Sequence, residues 1–238
     1  MAMEFPTYPG SDVLLARLAR SQDMELPPTS MGKPPTEKFL HRLAEQIGMQ
    51  SHDLFLIAGL SIPDQAWPFD EGASRELPRL VRHALPLPAS SRQQLRDYAR
   101  PLTERPMTAS PRKRHSYEQY PPCFGSLFVR MLALRNLGWS SAAKVMYLMS
   151  DVYLSAATIG AVGRGVKELD RELLNGFAAV FGVRVSVLAT LTGMQDVPPS
   201  RGLPGEIADT AALLWDVRHL PAAQVRQVSQ HARALSRS

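Results

Sequence analysis

The sequence predicts an all-α protein, on three observations. Glu37 to Leu60 carries apolar residues at the 3.6-residue helical period and reappears, shifted by 134 positions, as Arg171 to Met194. A second run, Leu87-Pro88-Ala89…Leu95…Ala99-Arg100…Leu102, reappears at a shift of 133 as Leu220-Pro221-Ala222…Val228…Ala232-Arg233…Leu235. No alternating apolar and polar stretch of convincing strand length occurs anywhere in the 238 residues.

The first repeat reads as a buried helix pair. Phe39-Leu40, Leu43-Ala44, Ile47-Gly48-Met49, Leu54 and Gly59-Leu60 in one copy answer to Leu173-Leu174, Phe177-Ala178, Phe181-Gly182-Val183, Leu188 and Gly193-Met194 in the other. In each copy the first glycine can close a helix in the left-handed conformation, and a second short helix ends at the next glycine. Two matches at almost one offset indicate duplicated architecture. The expected organisation is therefore a first helical module over 1–102, a linker over 103–120 and a second module over 121–238. Each module is long enough to bury a core of its own.

Taken in order, Asp12 to Arg20 predicts a helix with Leu14, Leu15 and Leu18 on one face. Leu26-Pro-Pro-Thr-Ser-Met-Gly-Lys-Pro-Pro then breaks regular structure, because proline lacks a backbone donor and biases its predecessor away from the helix. The helix pair follows, then a loop over Asp64 to Ala73 and helices near Ser74 to Ala84 and Ala89 to Leu102. The linker holds Pro106, Pro111 and the basic run Arg112-Lys113-Arg114-His115. It reads first as a solvated tether, a reading compatible with an arm whose cations touch phosphates without reading sequence.

The second module predicts helices over Ser126 to Leu137, from Ser140 or Ser141 to about Met149, and from Ser155. After the repeated pair come a proline-rich loop, Val197 to Pro204, and helices over Glu206 to Val217 and Ala222 to Leu235. Between its opening helix and the repeated pair this module keeps a stretch that the first one has shortened.

Composition narrows the function classes. Hydrophobic residues make up 45% and charged residues 21%, which fits a globular chain and argues against disorder. No apolar run approaches a membrane span, and the start, Met-Ala-Met-Glu-Phe-Pro-Thr, shows no secretion signal, so a cytoplasmic protein is expected. A single cysteine, Cys123, excludes an internal disulfide framework and a cysteine-rich zinc site. The net charge of +5, with all but five of the 27 basic residues arginine, allows a polyanionic partner without demanding one. The six histidines have no metal-ligand spacing, Cys123 has no sequence-local base, and Gly163-Arg-Gly165 lacks the Lys-Ser or Lys-Thr of a phosphate loop. No enzyme activity and no cofactor are expected.

The functional signal lies in the added stretch. Ser141-Ala-Ala-Lys-Val-Met-Tyr-Leu-Met reads as one short helix; Ser155-Ala-Ala-Thr-Ile-Gly-Ala-Val-Gly-Arg-Gly reads as a second, with a Ser N-cap, apolar Ile159 and Val162, and a Gly stop. Two short helices across a turn, followed by packing helices, form the helix-turn-helix pattern. Through Ser155, Thr158, Ile159, Val162, Arg164 and Gly165, and then the Leu173 to Gly193 run, residues Ser126 to Met194 resemble the Xre or lambda-repressor-like helix-turn-helix family. The first module resembles a degenerate copy whose motif helices are missing or remodelled.

The resemblance implies a sequence-specific transcriptional regulator binding double-stranded DNA. Its reading helix would start at Ser155. Ala156 and Ala157 offer only methyl contacts, so base readout would rest on Ser155, Thr158, Arg164 and Lys167, with Lys144 on phosphate and Arg112, Lys113 and Arg114 as an accessory arm. One motif reads few base pairs, and proteins of this kind commonly pair, so a homodimer is expected. The first module, Leu213-Leu214-Trp215 or the Val225 to Leu235 helix offers the joining surface, although these faces could equally be buried within one chain. The alternative is an interaction module that uses the same fold to hold a protein partner or another DNA-binding protein.

Overall fold

A computed structural model of the protein describes residues 8–25, 35–68, 70–103, 116–195 and 202–237. Twelve α-helices and no strand occur among the described residues. They are α1 (Ser11–Arg20), α2 (Glu37–Ile47), α3 (Ser51–Ile57), α4 (Glu71–Ala84) and α5 (Ala89–Thr103) in the first half. The second half holds α6 (Phe124–Ala133), α7 (Trp139–Ser150), α8 (Ala156–Gly163), α9 (Arg171–Phe181), α10 (Val185–Thr192), α11 (Gly205–Asp216) and α12 (Ala222–Leu235). The class expected from the sequence is the class observed.

The repeated runs carry the same local devices. Thr36 caps α2 by accepting from the Phe39 amide at 3.4 Å, and Asp170, at the equivalent position, caps α9 by accepting from the Leu173 amide at 2.8 Å. Gly48 and Gly182 close those helices at φ 71° and 73°, and Gly59 and Gly193 close α3 and α10 at 72° and 81°. Those positive angles favour glycine because a Cβ would collide with the backbone. Leu43, Ile47, Leu54, Phe177, Phe181 and Leu188 are all buried, as the periodicity requires.

The likeness extends to helices whose sequences match less plainly. Along α4 and α11, at the shift of 133, Leu77 and Thr210, Leu80 and Leu213, Val81 and Leu214, and Ala84 and Val217 are all buried. Along α5 and α12 the same holds for Leu95 and Val228 and for Ala99 and Ala232. A surface helix repeats its buried face every three or four residues; here two pairs of helices repeat it in the same register.

Where the sequence led us to expect a separate core in each half, one contiguous cluster takes in buried side chains of both. Helix α4 packs on α7 and α12, α5 on α11 and α12, α1 on α10, and α3 on α6. The faces expected to join two copies are covered within the chain: Leu213, Leu214, Val225, Val228 and Ala232 are buried against it. Polar groups cross between the halves too. Asp70 caps α4 through the Gly72 and Ala73 amides and also accepts from the Ala222 amide at 2.7 Å, and Ser74 Oγ accepts from the Gly138 amide at 3.0 Å.

The most deeply placed of these is an ion pair. Asp53, on α3, meets Arg135, just beyond α6, in a two-pronged contact at 3.0 and 2.7 Å, with both side chains at most 1% exposed. The guanidinium also donates to the carbonyls of Met131 at 2.9 Å and Phe181 at 3.2 Å, and lies over the rings of Phe181 and Trp215. The Phe181 carbonyl is at the C-terminal end of α9, where a cation is favoured. Neither residue stands out in the sequence as a partner of the other.

Beside it, the Arg218 guanidinium lies over the Trp215 ring, 3.8 Å from its centroid, and His52 approaches the same indole. Burial, then the charge of Arg218, pushes the His219 pKa down to about 4, and the same two causes lower His52. His219 is therefore neutral in the folded protein at pH 6, and His52 resists protonation in the same sense, while in the unfolded chain both begin to gain protons near 6.5. The unfolded state binds more protons, so stability is complete above that value and falls as pH drops from about 6.5 toward 4. Partial exposure of His219 screens some of the effect. Thermal midpoints measured across that window should fall with acid, and His219→Gln should flatten the fall. A midpoint of the parent protein that holds constant or rises toward pH 4.5 would contradict this assignment.

Candidate nucleic-acid interface

The site expected from the sequence is built on α7, α8 and the turn between them. Gly138 precedes α7, and Asp151, at φ 57°, ends it in the left-handed region that short polar side chains tolerate. Ser155 starts α8: its hydroxyl accepts from the Thr158 amide at 3.1 Å and lies 2.9 Å from the Thr158 hydroxyl. Arg164 follows the last turn, and Gly165, at φ 72°, takes the chain away. The sequence placed the cap and the glycine stop correctly.

The small residues of α8 have a packing cause. Its inner face presents Ile159, Gly160, Val162 and Gly163, all buried between α6 and α7. A Cβ added to Gly125, on α6, would overlap the Val162 carbonyl, so the two backbones approach as closely as only glycine permits. At Gly160 a Cβ would stand 3.0 Å from the Trp139 ring. Cys123 is the N-cap of α6, accepting from the Ser126 amide at 3.2 Å, and its thiol points at the Gly163 carbonyl 3.7 Å away. Its place is explained by capping and by holding the end of α8.

The outer face carries the candidate residues. Lys144, Ser155, Ala157, Arg164 and Lys167 are exposed, while Ala156 and Thr158 are half-buried. Arg164 lies back over α8, its Nη1 3.2 Å from where a Cβ on Gly160 would be. Lys167 is 3.6 Å from Asp170 in an exposed pair, a contact weak enough to exchange for another anion. Arg112, Lys113 and Arg114 lie outside the described residues.

Two features were not read from the sequence. Tyr153, in the turn, is 84% exposed, and Tyr147, on α7, is 49% exposed; their rings stand perpendicular with centroids 6.1 Å apart. Val166, just after α8, is 75% exposed. Two rings side by side in water at the motif are unusual for surface positions of a helical protein, which are mostly polar. An aromatic residue at a position where the helical period calls for a polar one was the available signal. Charge around the motif is also balanced: Lys144, Arg164, Lys167 and Arg171 are offset by Asp151, Glu168, Asp170 and Glu172.

Among the described residues no group of three or more His, Cys, Asp or Glu is placed to hold a metal ion, and no helix is long and apolar enough to cross a membrane. No protein-family model, no curated protein and no solved structure matches the chain.

Proposed function

We propose that the protein is a sequence-specific, double-stranded DNA-binding regulator of the Xre-like helix-turn-helix type. In this reading the second half is the DNA-binding module and the first half, with the same helix pair and the same terminal hairpin, is a related module without reading helices. The observation that carries the reading is α8: a short, Ser-capped helix wedged between two others, with Ser155, Ala157, Arg164 and Lys167 on its open side. A helix so held can enter a major groove as a rigid body, the way reading helices of this motif dock. Lys144, Arg164 and Lys167 neutralise phosphates; Ser155 and Thr158 face base edges with the hydroxyl capacity their mutual contact leaves; Ala156 and Ala157 touch thymine methyl groups. The reading assigns no catalytic group and no cofactor.

Replacing Lys144, Arg164 and Lys167 together by alanine tests it. Binding to all duplex sequences should weaken, and the slope of log affinity against log salt should drop by about one for each contact removed. Thr158→Val should instead change which sequences are preferred. An unchanged affinity and salt slope for the triple variant would reject the placement.

A second reading is favoured by one observation, the exposed Tyr147, Tyr153 and Val166 together with the balanced charge around them. In that reading the same face holds a protein partner. Tyr153→Ser would then abolish partner binding while leaving the salt slope on DNA where it was.

A further inference from the structure

The two halves meet through contacts that a two-fold rotation would generate. In a symmetric pair, if one element of the first copy touches a different element of the second, the reverse contact also exists, and elements near the axis touch their own counterparts. At the shifts of 133 and 134, α3 corresponds to α10, α4 to α11 and α5 to α12, while α1 and α6 are the opening helices. Helix α4 packs on α12 and α11 on α5; α3 packs on α6 and α10 on α1; and α4 meets α11 as α5 meets α12. All four relations expected of a two-fold are present.

The side chains follow the same pattern. Arg226 of α12 pairs with Glu76 of α4 at 3.1 Å, and Arg92 of α5 pairs with Asp209 of α11 at 2.9 Å. Glu76 and Asp209 are equivalent at the shift of 133, and their arginine partners fall within one residue of equivalence. The relation ends at α7 and α8: residues 134–170 hold them in the second half, whereas only residues 21–36 separate α1 from α2 in the first.

We infer that the chain is a covalently joined pseudo-dimer with one reading helix, and that a single copy occupies a DNA site with one half-site. The DNA part rests on the function proposed above; the pseudo-dimer part does not. This arrangement takes the place of the homodimer expected from the sequence, because the apolar faces that would join copies already join the halves. Among the described residues the exposed large apolar side chains are Val13, Tyr147, Tyr153 and Val166, none of them on α4, α5, α11 or α12. Among the described residues the first half carries no counterpart of α8, so a single copy has nothing to place in a second half-site about one helical turn, roughly 34 Å, away.

Sedimentation velocity of the full chain at micromolar concentrations, alone and with a duplex selected from a randomised pool, tests the inference. The expected result is a 26.3 kDa species alone, one chain per duplex in the mixture, and a selected sequence with no inverted repeat. A free species of twice that mass overturns the pseudo-dimer whether or not DNA binds. A free monomer that loads two chains on an inverted repeat overturns the single-half-site assignment. A monomer that selects no duplex sequence overturns the DNA reading while supporting the closed pseudo-dimer.

Discussion

Asp53→Ala should cost about 3–5 kcal/mol of unfolding free energy, because it leaves the Arg135 guanidinium buried without its counter-charge. The cost comes from desolvation. The guanidinium keeps the carbonyls of Met131 and Phe181, but neither is a charge, and at 1% exposure bulk solvent does not reach it. The pair ties α3 of the first half to α6 and α9 of the second, so the loss should appear as one cooperative shift of the urea midpoint. The double replacement Asp53→Leu with Arg135→Met removes both charges and should lose less than the single variant. If Asp53→Ala unfolds within about 1 kcal/mol of the parent, the buried pair has been misassigned.

Phe177→Ala should destabilise by about 3–5 kcal/mol through the cavity it leaves. Phe177 is fully buried, and its ring stands 5.0 Å from Phe128 and 5.7 Å from Phe181, so two aromatic groups lose a common neighbour. The equivalent Leu43→Ala in the first half removes a smaller, aliphatic side chain and should cost about 2–5 kcal/mol. Chemical denaturation of both variants checks the order: Phe177→Ala should be the worse of the two, and a reversed order would mean that the first half carries the tighter core.

Much of this fold was legible because its signals are local. The glycines at 48, 59, 182 and 193 end helices for a reason confined to their own backbone, and the apolar period of the repeated runs names the buried face directly. The Ser155 cap was legible for the same reason. Helix boundaries drifted where the signal was weak. Helix α4 begins at Glu71, capped by Asp70, in what reads as a loop, and it continues through Pro78. Helix α6 ends at Ala133 because Asn136 turns left-handed, before the expected stop at Leu137.

What the sequence did not disclose is long-range. Nothing in the spacing of Asp53 and Arg135 links residues 82 positions apart, and the shared core depends on how α4 and α5 meet α11 and α12. A repeated amphipathic hairpin shows which face is apolar, and another copy or another half can cover it equally well. The candidate site was legible as helix, cap and stop. The approach of Gly125 to Val162 depends on tertiary packing, and no local pattern encodes it.

Hydrogen exchange of the full chain, with and without a duplex selected from a randomised pool, locates the surface that DNA covers. If α8 reads DNA, amides from Ser155 to Lys167 and those near Lys144 should gain protection on binding, while α2, α3 and α5 keep their free-state rates. Protection confined to other helices, or a tight complex that leaves the amides from Ser155 to Lys167 unchanged, would contradict the account.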